Sequence, residues 1–443
     1  MNQSPAPAAR PARRAPADLP IRFADRALAE RIAAERGDPD WLLADRLAAA
    51  EAFADLPIEA NQLYTPYIDL RTAALENADP YVLDGPAGLG ADLQGLDLPK
   101  GVHVETFSQW LERDPDGARA TLAGGATLPE DKLAMLARGF WSHGRHVEIA
   151  PGVIVADPIA LRWPTAAPGR ALLTRTVVTL GRGASAAIVE EQVAPGPEIE
   201  RAEGDPVLQG FFHGTTEVVL AEGASLALAS IQDAGPDQVV FQHRHAAIGD
   251  GATLHWALAQ LGGRVVRSRV DNRLEGDRSS VEQVEIVFGG EQQLFDLTSY
   301  TRHIGRDTTG NLLSKGALLD RSKSFMKGLI TIEKSAVGTD SFLGEFGMNL
   351  SRAARAVAIP SLEIDQPDCR RAMHSSSVGP IDPTQLFYLE SRGIAPDDAR
   401  KFIVLGFLEP VVARVPLDAA RDHLRDLLDR KWAAGVEATE AAA

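Results

Sequence analysis

From His146 onward, apolar residues fall at every second position on either side of a short Gly-rich turn. Four segments share this pattern: HVEIAPGVIVAD (146–157), TVVTLGRGASAAIVEE (176–191), TEVVLAEGASLALAS (216–230) and HAAIGDGATLHWALA (245–259). With Gly152, Gly183, Gly223 and Gly251 in register, the residue three before the glycine is Ile149, Leu180, Leu220 or Ile248. Five before it stand Val147, Val178, Val218 and Ala246; three after it stand Val155, Ala186, Leu226 and Leu254. A looser copy, ITIEKSAVG (330–338), puts Ser335 in the glycine position. Period-two apolar positions around a Gly-Ala-Ser/Thr turn predict strand, tight turn and strand, with one face inward. Each unit leaves backbone edges and half a hydrophobic face uncovered, so it must stack on its neighbours. The spacing is unequal, at roughly 30 to 40 residues, which favours an irregular β-solenoid over a strict hexapeptide helix or a propeller. No helical segments separate the copies, which argues against a doubly wound α/β fold. A β-sandwich is the alternative architecture.

The stretch Gly305–Ile364 continues this texture without a helical period, with Phe325, Leu329, Ile330 and Ile332 set among Ser, Lys and Gly. It reads as short half-buried strands, a wall without a catalytic motif. Helical patterns flank the wall. From about Ile21 to Ala54 the chain is rich in Ala, Leu and spaced charges, and Gly37–Asp38–Pro39 divides it into two helices. After Ile364, Asp382–Pro383 supplies an N-cap and first-turn proline, and Gly393 supplies a stop. A further helix follows Ala395–Pro396, and a last one covers Leu417–Trp432 with Leu417, Ala420, Leu424, Leu427 and Leu428 on one face. The organisation expected is a disordered tail over 1–20, a helical and mixed domain over 21–145 and a β-helix core over 146–382. A C-terminal helical domain over 383–435 and a tail over 436–443 complete it.

Composition narrows the function. The chain has 443 residues, 45% hydrophobic, enough to bury a large core. Its formal charge of −16 argues against nucleic-acid binding, which needs clustered Lys and Arg. The single cysteine, Cys369, excludes a disulfide framework and any multi-thiolate metal site within the chain, and fits a reducing cytoplasm. No apolar run of about 18 residues predicts a membrane span, and the N-terminal stretch lacks the apolar core of a secretory signal. The glycines at 85, 88 and 90 do not make the dinucleotide fingerprint, and no G-x-x-x-x-G-K-[ST] phosphate loop occurs.

Four blocks carry a resemblance: TTGNLLSKGALLDRSKSFMKGLI (308–330), GTD (338–340), IPSLEI (359–364) and QLFYLESRGI (385–394). In order and spacing they resemble the SufB/SufD family of iron–sulfur cluster assembly proteins. The similarity extends in less detail to His146, with a faint echo at YTPYIDL (64–70). It implies a mainly β protein, a right-handed parallel β-helix with helical domains at both ends. The low cysteine count resembles SufD-type rather than SufB-type members. The resemblance therefore implies a non-catalytic scaffold that pairs with SufB through the β-helix and binds the SufC ATPase through residues 383–435. It implies no stably bound cofactor, and iron or a nascent Fe–S cluster held transiently at the SufB interface. Flavin binding and self-association of the isolated chain are left open.

SufD-type members often carry Cys-x-His after the SLEI block, and here that region reads DCRRAMHSSSVGPID (368–382). The resemblance places His374 at the histidine and Ala372 at the cysteine. Cys369 lies five residues before His374, and in an extended strand it would point to the opposite face. A neutral imidazole suits iron; the remaining ligands would come from SufB or from a carboxylate such as Asp368. Among other candidates, His243 and His245 share a strand face as polar wall positions, and His213 and His303 could line the interior or face solvent. Glu333, Asp340 and Glu345 would be the acids of a polysaccharide-active β-solenoid enzyme, the alternative function. They read as solvated surface groups. A hexapeptide-type acyltransferase would need a regular six-residue period, which is absent.

Overall fold

The computed structural model describes residues 18–86, 88–93, 98–123, 131–193 and 208–441. Most of the predicted N-terminal tail, part of the 85–90 glycine loop and the last two residues lie outside them. The core is a parallel β-solenoid of two facing sheets. The larger sheet contains β1 (Asp79–Pro80), β2 (Val102–Thr106), β3 (His143–Ile149), β5 (Arg170–Leu180), β7 (Gly210–Leu220), β9 (Gln238–Ile248), β11 (Val265–Leu274), β13 (Leu294–His303), β15 (Lys323–Ile332) and β17 (Arg355–Ile364). The second contains β4 (Ile159–Pro164), β6 (Ser185–Val193), β8 (Ser225–Gln232), β10 (Thr253–Gln260), β12 (Ser280–Gly289), β14 (Thr309–Leu318), β16 (Asp340–Asn349) and β18 (Arg371–Gly379). The chain alternates between the sheets, and each strand pairs in parallel with the strand two further on. The exceptions are the antiparallel pair β2–β3 at the start and the short β1, which pairs with β5.

The columns predicted from the glycine register are the columns observed. Ile149, Leu180, Leu220 and Ile248 stack in successive coils, as do Ala186, Leu226 and Leu254. At the turn between the sheets, Gly152, Gly183, Gly223 and Gly251 all have positive φ, where a side chain is strained. The ladder continues beyond them without glycine. Gly251 N–H donates to Asp277, Arg278 N–H to Arg306, and Asp307 N–H to Val337. Arg278 (φ 57°) and Asp307 (φ 53°) take the left-handed position. Two further coils were therefore hidden from a glycine-based pattern. Ser335 is not the turn residue of the looser copy: Ile332 keeps its column, but the turn is longer and Gly338 (φ 76°) takes the left-handed place.

A left-handed conformation costs a non-glycine residue roughly 1–2 kcal/mol, offset in part by the greater freedom glycine has when unfolded. Arg278 is exposed and makes no ion pair among the described residues. Arg278→Gly should therefore raise stability by a few tenths to about 1 kcal/mol in urea denaturation. A measured loss of stability would show that the Arg278 side chain contributes something the turn geometry does not.

Both outer faces of the solenoid are covered over most of its length, so its strands are buried on two sides. On the ten-stranded sheet lie α1 (Arg26–Arg36), α2 (Asp40–Asp55), α3 (Phe107–Arg113), α4 (Pro115–Leu122), α5 (Lys132–Phe140) and the segment joining α2 to β1. Gly37 ends α1 in the left-handed region, and Asp25 and Asp131 cap α1 and α5 with their carboxylates. On the eight-stranded sheet lie α7 (Pro396–Val412) and α8 (Asp418–Ala441), reached through α6 (Pro383–Glu390). Asp382 caps α6 ahead of Pro383, as the sequence predicts. Ala420, Leu424, Leu427 and Leu428 of α8 pack with Val404, Leu408 and Val411 of α7 over the solenoid. The last helix runs on to Ala441, into the segment read as a tail, and Lys431 pins it by donating to Gln293 Oε1 at 2.9 Å.

Under the N-terminal helices lies a buried ionic network that periodicity could not reveal. Arg267 is 3.0 Å from Glu59 and 2.7 Å from Asp296, and Lys327 lies 2.6 Å from Asp296. Tyr300 Oη donates to Glu59 at 2.7 Å, and Arg269 pairs with Asp131 and Asp271. Burial alone would raise the Asp296 carboxyl, but Arg267 and Lys327 hold it below the ordinary carboxylate range.

Candidate functional site

The coils are covered until the last one. β17 and β18 are the outermost strands of their sheets, so each presents an unpaired backbone edge. Along β18 only Ala372 and Gly379 are half-buried; the other residues are exposed. The coil shows apolar side chains to solvent, with Ile364 46%, Met373 52% and Val378 41% exposed. Directly after it, Phe387 and Tyr388 on α6 and Phe402 on α7 are exposed at 70%, 58% and 66%. Scattered apolar residues are ordinary on a surface; here they accompany an open strand edge.

His374 sits in the middle of β18, paired in register with Leu343 of β16, and Ala372 pairs with Ser341. Leu343 and Ser341 are fully buried. Ala372 and His374 therefore share the inward-facing side of the last coil, with no further coil above them. Cys369 lies in the turn before β18. It packs, half-buried, with Ala372 and Leu362 against Ile330, Ile332 and Ala336. The alternation that would turn it away from Ala372 holds only within an extended strand, and residues 369–370 are not strand. Its sulfur is committed to an apolar cluster. Asp368 is exposed, and its carbonyl accepts from Gly338 N–H at 2.8 Å. At this end the chain thus offers one solvent-facing imidazole, and among the described residues no group of three or more metal-donor side chains includes it.

The other candidates are spread through the molecule. His213, His243 and His245 form a buried row on the outer face of the ten-stranded sheet, with ring centroids 5.5 and 6.0 Å apart. His213 Nε2 is 3.1 Å from the Leu133 carbonyl, and burial pushes this ring down to about 4. His245 lies 3.3 Å from Asp271. His303 faces the solenoid interior between Thr308 Oγ1 (2.8 Å) and Ser341 Oγ (3.0 Å), and burial holds it neutral at about 4. The three carboxylates do not converge. Glu333 pairs with Arg302 and Asp340 with Arg371, while Glu345 is buried inside the last covered coil. The reading of Glu345 as a solvated surface group is therefore wrong. The period-two pattern gives its face, but only the full stack shows that this face is closed.

Among the described residues, one group has metal-like geometry: Glu105, His146 and Glu148, with donor atoms within 4.8 Å of one another. Arg113 already supplies the positive charge there, 2.7 Å from Glu105 and 2.6 Å from Glu148, and His146 stacks on Trp110 with ring centroids 3.6 Å apart. It is a structural ion cluster tying β2, β3 and α3 together. Also among the described residues, no helix is long and apolar enough to cross a membrane.

Comparison with known proteins fits this geometry. The SUF system FeS cluster assembly, SufBD core domain matches residues 164–407, the solenoid from the end of β4 through most of α7. The iron–sulfur cluster assembly protein SufD of Bacillus subtilis is 26% identical over 309 residues, covering 69% of this chain and 68% of the relative. An iron–sulfur cluster assembly SufBD family protein of Mycobacterium bovis is 27% identical over 315 residues, covering 70% and 76%. A SufBD family protein of Staphylococcus aureus is 20% identical over 441 residues, 91% of this chain and 93% of the relative. The fold and its bare end thus define a β-solenoid protein of the iron–sulfur cluster assembly class. The chain belongs to the SufBD family of the SUF system.

Proposed function

We propose that the chain is a SufD-type scaffold subunit, working at its surfaces and not through an active site of its own. The observation that carries this reading is the uncovered last coil: two open strand edges with exposed apolar side chains on both β17 and β18, followed by helices with exposed aromatics. An open parallel edge takes up another strand, so the coil pairs with a SufB-type partner that continues the solenoid. Phe387, Tyr388 and Phe402 dock a SufC-type ATPase, because large aromatics standing free of the core act as interface anchors. His374 then faces the seam between the two solenoids, where iron or a nascent cluster passes as cargo. Its single imidazole leaves the remaining ligands to the partner. In this reading the protein works in the cytoplasm, where a lone thiol stays reduced.

The test is co-expression of the full chain with its SufB-type and SufC-type partners. Phe387→Asp combined with Phe402→Asp should weaken capture of the ATPase about 30-fold or more, the effect of losing an interface anchor worth about 2 kcal/mol. The solenoid partner should still co-purify. His374→Ala should leave the complex assembled while lowering the iron it retains. Unchanged ATPase capture in the aromatic variant would remove the docking assignment, and unchanged iron content would remove the ligand role of His374.

A further inference from the structure

One corner of the solenoid carries a charge opposite to that of the molecule. Between the segment Asp69–Thr72 and the turns leading into β11, β13, β15 and β17 lies a cleft of about 450 Å³. Arg71, Arg264, Arg321 and Lys323 line it, against the single carboxylate of Asp69. Asp69 is engaged by Arg71, and Arg264 donates to the Gln292 carbonyl at 3.0 Å. Arg321 and Lys323 are exposed and make no ion pair among the described residues. Arg355, exposed like them, stands beside Lys323 in the parallel register. In a chain of net charge −16, this corner gathers four basic side chains against one lining carboxylate.

The size and lining select a ligand class. About 450 Å³ is the volume of a small-molecule site, not of a docked helix or domain. Among the described residues, the guanidinium groups of Arg264 and Arg321 make no ion pair, and the ammonium of Lys323 faces only the already paired Asp69. They match the oxygens of a phosphate or diphosphate, which arginine grips in bidentate fashion. Leu294 and Ala353 add an apolar wall on which the body of a phosphate ester can lie. The cleft is formed jointly by the N-terminal segment and four successive coils. It lies at the strand-start corner of the ten-stranded sheet and reaches the turn into β17. We infer that this corner is a binding site for a small phosphate-bearing anion, separate from His374 and from the exposed aromatics of the C-terminal helices.

The full chain titrated with inorganic pyrophosphate and, separately, with ADP by calorimetry tests the site. Saturable one-to-one binding with Kd of about 1 mM or tighter is expected, weakening as salt rises toward about 0.15 M. Arg321→Glu with Lys323→Glu should lower affinity by about 10-fold or more while leaving the thermal transition unchanged, because neither side chain is buried or paired. Arg182→Glu, at the glycine-turn corner, should leave binding intact. Tighter binding of ADP than of pyrophosphate supports use of the apolar wall, and equal binding supports phosphate recognition alone. Absence of binding to both probes, or equal binding by the charge-reversed variant, overturns the site. Binding of a poly-glutamate peptide with none of pyrophosphate also overturns it, assigning the corner to an acidic protein segment.

Discussion

Replacing Arg267 with methionine should destabilise the folded chain by about 3–5 kcal/mol, the loss expected when one partner of a buried ion group is removed. Arg267 is fully buried, between Glu59 of the N-terminal segment and Asp296 of β13. Without it, Glu59 and Asp296 remain buried with Lys327 as the nearest paired cation of Asp296 and with hydrogen bonds from Tyr300 and Asn61 to Glu59. The remaining charge is then unbalanced where the dielectric is low, which is why the loss exceeds that of a surface pair. Denaturant titration of the variant measures the effect. Because Glu59 is the N-terminal segment's contribution to the network, protease cleavage between α2 and β1 should also accelerate. Removing the charged partners together, as Glu59→Gln, Arg267→Met, Asp296→Leu and Lys327→Met, should return much of the stability, since the uncompensated charges, Lys327 included, leave together. A single variant losing less than about 1 kcal/mol would show that water reaches this interface.

Glu345 gives the second large effect, and its sign depends on pH. Burial pushes its carboxyl up to about 8, while the N–H of Ile359, donating at 2.7 Å, and the charge of Lys327 pull only partly the other way. In the unfolded chain the group ionises near its ordinary 4.5. Below pH 4.5 both states hold the proton and no stability is lost. Between 4.5 and 8 the unfolded chain releases it while the folded chain keeps it, so stability falls as pH rises through this window. Glu345→Gln keeps an acceptor for Ile359 and removes the titration. The variant should exceed the parent by about 3 kcal/mol at pH 7, with the gain vanishing near pH 4. A constant difference across that range would mean the carboxyl is ionised in the folded protein. The residue lies on the inward face with Leu343, one layer beneath the coil that bears His374. A neutral acid there keeps the layer under the bare coil free of fixed charge.

The glycine register was readable because period-two side chains and a left-handed turn leave a local signature in each coil. The same signature failed at Arg278 and Asp307, where backbone pairing with the neighbouring coils holds the turn without glycine. It failed again at Gly338, where a longer turn displaced the left-handed residue from Ser335. His374 could be placed on a strand from its string of neighbours. Its position on an uncovered edge depends on how many coils precede it and on where the helices pack. The parity reading of Cys369 applied to an extended strand, whereas residues 369–370 lie in a turn; Glu345 was misread because an inward face is closed only when coils lie on both sides.

Taken alone, the sequence favoured a β-solenoid with helical ends over a sandwich, and it determined the columns of the interior, the caps of the helices and the family blocks whose resemblance implied a parallel β-helix. These depend on residues close in sequence, where alternation, turn chemistry and capping act within a few residues. The tertiary structure alone decided which faces are covered, and hence which histidines are buried and which carboxyl is held neutral. It also decided which coil stays open, and that Arg267 meets an acid more than two hundred residues away. Burial and charge pairing are set by the surroundings a side chain ends in, and in a solenoid those surroundings come from the coils above and below and from the helices laid across them.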